Sequence, residues 1–363
     1  MKHDWKYIKL GDIISPAKVV RNGANKKFPV LSITMRDGIV LQSSRFKKSI
    51  ASVDTSDYKV VYNGQLVIAF PIDEGLIYTQ DIVDAGIMSP AYNVWNVDFL
   101  EIDRKFLVLY LHCPFSMAYY KSKLRGTTMR RRSMPKEDLL NMPLPVPSFS
   151  VQQSIVSELD KINELIRLKK EQLNDYDKLS QSIFYEMFGD PVVNEKGWEV
   201  KKFANLYKLK SGDNLSAKNF VEGEIPVYGG NGISGYHNDF NMDGDFIIIG
   251  RVGVYCGNVR EVHGKFWLTD NAFQLFYNRE IQNPCFIHYL LDILDLHKYA
   301  NAAAQPVISN LTLKDVEIII PPLALQKLFA QRIELIERQK AEIQNTIADL
   351  ETLLASRMQY WFD

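Results

Sequence analysis

Residues 147–188 align without a gap onto residues 321–362, at an offset of 174, and this doubling constrains the fold more than any single motif does. Pro147 meets Pro321, Gln152 meets Gln326, Ile162 meets Ile336, Asp175 meets Asp349, Leu179 meets Leu353, Ser182 meets Ser356 and Phe188 meets Phe362. Apolar side chains recur every three or four positions in both copies. The first stripe holds Ile155, Leu159, Ile162, Ile166, Leu173, Tyr176 and Phe184, and the second Phe329, Ile333, Ile336, Ile343, Ile347, Leu350 and Leu354. Neither run contains Gly or Pro, so each predicts one helix of roughly 38 residues, about 57 Å long. A helix that long with a single apolar stripe needs a partner, and the other copy supplies one, so the two are expected to pack as a coiled coil. The pattern leaves their relative direction open. Lys169 and Lys340 fall on the stripes at nearby register positions; a long lysine stem can reach the surface from there, and a polar residue there can fix register.

The segments ahead of the helices repeat more loosely. Trp5–Leu10 parallels Trp198–Phe203, and Phe28-Pro29-Val30 parallels Ile225-Pro226-Val227. Asn63-Gly64 and Asp243-Gly244 each read as a turn leading into an apolar strand, and Phe106–Leu111 parallels Phe286–Leu291 as a short helix. The expected fold class is therefore α/β (α+β), built as globule, helix, globule, helix. The segments are residues 1–146, 147–189, 190–320 and 321–363, with Gly189-Asp190-Pro191 stopping the first helix.

Forty-three basic side chains balance 43 acidic ones, which argues against coating nucleic acid through charge alone. The balance is uneven along the chain: residues 1–145 carry 21 basic and 14 acidic side chains, residues 191–320 carry 12 and 15. Three scattered cysteines fit neither a disulfide framework nor a Cys-rich metal site. The start, Met1 to Lys6, shows no signal peptide, and no apolar run is long enough for a membrane span, so a cytoplasmic protein is expected.

Catalytic motifs are missing. There is no GxxxxGK[ST], HExxH or CxxC, and the six histidines show no metal-ligand spacing. Asn283-Pro284-Cys285-Phe286 approaches the tetrapeptide with which amino-methyltransferases grip a flipped-out adenine. Cys285 breaks that pattern and no glycine-rich cofactor loop accompanies it, so a turn ahead of a helix is the better reading.

In this order and with these phrases, the chain resembles the specificity subunit of type I restriction–modification systems. The resemblance spans essentially the whole chain: Trp5 to Asp12, Gly244 to Gly253, and Ala303-Ala304-Gln305-Pro306-Val307-Ile308-Ser309 leading to Leu313 and the Pro-Pro start of the second helix. The first-copy counterpart, Gly126 to Ser133, is more basic and needs a two-residue gap. The resemblance implies a non-catalytic subunit that reads a bipartite double-stranded DNA target, each recognition domain taking one half. It implies that the helices pack antiparallel as a spacer in a pseudo-two-fold internal repeat and hold two methyltransferase subunits, with nuclease/translocase subunits joining for restriction. No cofactor is expected in this chain; S-adenosylmethionine, ATP and Mg belong to the partners.

Against that background the basic stretches have two readings, a phosphate-binding face or a solvated surface. Lys26, Lys27, Arg36, Arg45, Lys47 and Lys48 form one, and Arg125, Arg130, Arg131 and Arg132 the other. Adjacent arginines are costly unless anions neutralise them; an acidic face of a partner subunit would also serve. The glycine clusters around Tyr228 to Gly235 and Gly250 to Gly257 read as tight turns or as loops that let backbone approach DNA, presenting Tyr228, Asn231 and Arg251 to a groove. Two other functions compete: a coiled-coil scaffold for protein partners only, and a catalytic DNA methyltransferase or nuclease.

Overall fold

The computed structural model describes residues 5–23, 28–35, 37–45, 54–125, 134–301 and 305–362. The chain divides into two units, one of Met1–Lys169 with Thr346–Asp363, the other of Lys170–Asn345. Both long helices run for 40 residues, Phe149–Phe188 and Leu323–Phe362, so their ends fall on equivalent positions of the repeat. Each unit therefore contains part of both helices. Gly189 ends the first helix at φ +76°, a left-handed conformation that glycine adopts without a steric penalty.

In the first unit, Lys6–Lys9 pairs antiparallel with Pro143–Val146, Lys6 lying opposite Val146. The next amide, that of Leu10, donates to Met142 O at 2.8 Å. A four-stranded sheet comes next, in the order Ile14–Pro16, Asn93–Val97, Leu66–Ile68, Ile77–Thr79. Two smaller pairs accompany it, Leu31–Thr34 with Gly38–Leu41 and Lys59–Tyr62 with Ala85–Met88. The helix Arg104–Leu111 starts where the Asp103 carboxylate accepts the amides of Lys105 and Phe106, satisfying two donors that a helix start leaves open. Its Phe106 and Tyr110 pack with Ile155 and Leu159 of the first long helix and with Phe362, whose ring lies 5.6 Å from Phe106 and 5.7 Å from Tyr110.

The second unit repeats this plan. Glu199–Lys202 pairs with Glu317–Ile320, and the Phe203 amide donates to Val316 O at 2.8 Å. Its sheet has six strands in the order Lys208–Ser211, Ala272–Phe276, Met242–Gly250, Val259–Leu268, Ile225–Gly229, Gly232–His237. The helix Pro284–Ile293 is capped by Asn283. Phe184 and Phe188 pack against Phe286 and Phe329. Phe188 meets Phe329, Glu186 meets Arg332 at 3.9 Å and Asp177 meets Lys340 at 2.8 Å, so the two helix segments of this unit run in opposite directions.

The stripe residues are buried at Ile155, Leu159, Ile162, Ile166, Phe184, Phe329, Ile333, Ile336, Ile343 and Ile347; Leu173, Tyr176, Leu350 and Leu354 are half-buried. Lys340 sits on its stripe with 18% of its side chain exposed, between Asp177 and Glu337. Burial opposes its charge, but the hydrogen bonds to those two carboxylates outweigh that and raise its pKa.

One expectation needs correction. Asn63-Gly64 does precede the strand Leu66–Ile68, but Asp243-Gly244 is not a turn. Both residues lie inside Met242–Gly250, where Gly244 faces Gly264 across the ladder. Glycines on both strands tolerate positive φ there, so the ladder continues through what reads locally as a turn.

Candidate nucleic-acid interface

In the second unit the two glycine-rich loops close on each other. A Cβ on Gly250 would lie 2.3 Å from Gly230 O, and one on Gly230 would lie 2.8 Å from Val252 O. These glycines are required by an approach of protein backbone to protein backbone. The Gly229–Gly232 connection itself is a tight hairpin turn, with Gly232 at φ +97°.

The side chains expected on this face have distinct surroundings. Asn231 is exposed at the hairpin tip. Tyr228 is half-buried, its ring edge-on to Phe266 at 5.5 Å. Arg251 is engaged within the protein: its Nη1 donates to Ser211 Oγ at 3.3 Å and Asp270 O at 3.2 Å, and its guanidinium lies 5.5 Å from the Phe273 ring centre. Within the Gly250–Gly257 loop, Val254 and Tyr255 are exposed. Sequence reasoning passed over Arg260, whose guanidinium lies beside Gly232, 3.2 Å from where a Cβ would be. A lone arginine in an alternating strand carries no local signal; its pairing opposite Ile248 on the neighbouring strand is what places it there.

In the first unit, Arg125 is exposed and shares Asp138 with Lys123, at 3.4 and 3.6 Å. Arg45 ends the short helix Gln42–Arg45. Lys26, Lys27, Arg36, Lys47, Lys48, Arg130, Arg131 and Arg132 lie outside the described residues.

The Asn283 tetrapeptide has a structural role. Its side-chain oxygen accepts the Cys285 amide at 3.0 Å and the Phe286 amide at 3.4 Å, while Pro284 takes the first helical position, where no N–H is needed. Burial pushes the Cys285 thiol up to about 12, far from a reactive thiolate. Among the described residues, no group of three or more His, Cys, Asp or Glu is placed to hold a metal ion, and no helix is long and apolar enough to cross a membrane.

Residues 2–175 and 195–352 match the profile of a family described as the type I restriction modification DNA specificity domain. A specificity subunit of the type I restriction enzyme EcoprrI from Escherichia coli is 29% identical over 241 residues, which is 62% of this chain and 58% of that subunit. The MjaVIII specificity subunit of Methanocaldococcus jannaschii is 21% identical over 385 residues, covering 92% of this chain and 86% of its own length. Two solved structures share the fold. The S subunit of a type I restriction–modification system from M. genitalium superposes with a TM-score of 0.55 at 16% identity, covering 100% of this chain and 97% of that one. A chain from a study of assembly and conformational transition of the type I system superposes with a TM-score of 0.61 at 18% identity, covering 99% and 97%.

Proposed function

The chain belongs to the type I restriction–modification DNA specificity family, and from that premise we propose that it reads a bipartite double-stranded DNA target, one half-site per unit. Such a chain is the specificity component and not the catalyst of its complex. The two 40-residue helices act in this reading as an antiparallel coiled-coil spacer within a pseudo-two-fold repeat. They also dock two methyltransferase subunits, which nuclease/translocase subunits join. S-adenosylmethionine, ATP and Mg are then the partners' cofactors, and the complex works in the cytoplasm.

The observation that carries this reading is the doubling of one construction down to single hydrogen bonds. Gln152 and Gln326, both wholly buried, each donate to the proline carbonyl five residues back, at 2.9 and 2.8 Å. Each also accepts the amide of the residue that caps an earlier helix of its unit, Asp103 of Arg104–Leu111 at 2.7 Å and Asn283 of Pro284–Ile293 at 2.8 Å. Two units built alike, carrying different loops, suit two different half-sites on one duplex. Two such half-sites on one face of DNA lie about 34–36 Å apart per helical turn, a span that long helices can set. Tyr228, Asn231 and Arg251 in the second unit, with the basic stretches of the first, are the proposed contacts: Asn231 at the hairpin tip can pair with adenine in the major groove, and Arg251, its Nη1 held by Ser211 and Asp270, can offer its other N–H groups to guanine.

A genome-wide adenine-methylation map tests the reading, made with the methyltransferase subunit present and with or without this chain. A split motif that depends on the chain is expected. An unchanged map from an assembled complex would leave only a scaffold role.

A further inference from the structure

Two adjoining clefts of the first unit, of about 230 and 210 Å³, meet at Asn93, Trp95 and Lys136. Three lysines reach the larger one, Lys18 from the segment after Ile14–Pro16, Lys59 from its own strand and Lys136 from the helix Lys136–Leu140. Among the described residues no carboxylate lines either cleft. Among the described residues Lys18 and Lys136 have no acidic partner, and Lys136 stands 5.4 Å above the Trp95 ring. The Lys59 ammonium is partly withdrawn from water, donating to Tyr92 O at 2.5 Å, and burial followed by the charge of Arg21 holds its pKa below the ordinary lysine value. Three like charges around one cleft repel each other, and an anion between them would remove that cost.

The second unit shows what the same position looks like when filled. Pro16 lies opposite Trp95 on neighbouring strands, as Ser211 lies opposite Phe273. Over Phe273 stands Arg251, tied to Ser211 and Asp270 by its own hydrogen bonds. Over Trp95 stands Lys136, with no such ties among the described residues, beside an open cleft. The Trp95 indole N–H, buried, has no acceptor among the described residues.

We propose that the Lys18–Lys59–Lys136 cleft binds a phosphate group. The phosphate is carried either by the DNA backbone at the half-site of this unit or by a free anion such as inorganic phosphate. In its DNA form the site rests on the function proposed above; in its free form it does not. Lysine suits the role as a mobile point charge that needs no fixed fork geometry.

The test is lysine acylation footprinting of the full chain in complex with its methyltransferase subunit, read by mass spectrometry. The probes are inorganic phosphate and a duplex bearing the methylated motif. Protection of all three lysines, at least fivefold, is expected from the duplex. The double variant Lys18→Gln/Lys136→Gln, at two exposed positions whose side chains hold no hydrogen bond among the described residues, should weaken duplex binding about tenfold. It should also lower the log–log salt slope by about one. Protection by inorganic phosphate but not by a bound duplex would place the site with free anions. A complex that binds no duplex while phosphate still protects the lysines would remove the DNA reading and keep the site. A complex that binds its duplex normally, with these lysines unprotected by either probe, would overturn the site and leave the DNA reading standing.

Discussion

Arg357 and Glu158, 199 positions apart in the chain, close the first unit with a two-pronged ion pair, and the Trp361 indole N–H donates to the same carboxylate at 3.1 Å. The pair joins the early part of one long helix to the end of the other. The Arg357 guanidinium, and after it the Trp361 hydrogen bond, hold the Glu158 carboxyl below the ordinary glutamate value of 4.5. A carboxyl whose folded pKa is depressed adds stability above the unfolded pKa and loses it as pH falls through the folded one. Acidification below about pH 4.5 should therefore loosen this unit. In Glu158→Gln that part of the pH dependence should vanish. Thermal melts from pH 6 to pH 3 check it, and parallel curves for both proteins would refute it.

The buried glutamines should act locally and separately. Gln152→Ala leaves the Asp103 amide and the carbonyls of Glu101 and Pro147 without a partner, at a cost of about 2 kcal/mol or more. Hydrogen exchange should rise around residues 101–106 and stay unchanged around 281–286. Gln326→Ala should do the reverse, because its amide serves Ile281, Asn283 and Pro321. Equal loosening of both regions by either variant would show that the two sites are not independent.

Much of this was legible because helices write a period. The 3.6-residue rhythm marks both long helices, and the identities at Gln152 and Phe188 mark side chains with fixed jobs at helix start and end. The Trp-led segments were legible as repeats, though not that each would pair with the strand just before its long helix. The sheets were harder. Asp243-Gly244 has turn chemistry and lies mid-strand because ladder pairing with Val259–Leu268 overrides it. Arg251 reads as an exposed groove contact from its glycine neighbours, yet long-range neighbours, Ser211 and Asp270, hold its Nη1. The lysine cleft was invisible for the same reason. Lys18, Lys59 and Lys136 come from three distant segments and share no spacing.

Disrupting the helix stripe should separate assembly from folding of the globules. Ile343 and Ile347 are 6% and 8% exposed, and an aspartate at either site would bury a carboxylate on the apolar stripe, a cost of several kcal/mol. Either variant should lower methyltransferase recruitment, read by co-purification. Recruitment at the wild-type level by a folded variant would show that the stripe is dispensable for assembly.

Arg251 should matter to one half-site only. Arg251→Lys keeps the charge but gives up the planar fork that reaches Ser211, Asp270 and the Phe273 face together. The methylation map of this variant should show relaxed bases, and severalfold lower methylation, in one half of the split motif. Asn231→Ala should relax the same half. Changes spread over both halves would place these residues outside base reading.

The spacing of the motif should depend on helix length. One added turn in each long helix, about 3.6 residues, lengthens it by about 5.4 Å. DNA rises about 3.4 Å per base pair, so the insertion corresponds to one or two base pairs. Four residues placed after Lys169 and four after Gln344, both in stretches of unbroken helix, would rotate the downstream part of each helix by slightly more than a full turn and so nearly preserve the apolar stripe. Methylation mapping of this variant should return both half-site sequences unaltered, separated by a spacer one or two base pairs longer. A single-helix insertion is the control, since it breaks the register of one stripe against the other and should abolish methylation. An unchanged spacer in the double insertion would mean that something other than the helices sets the distance.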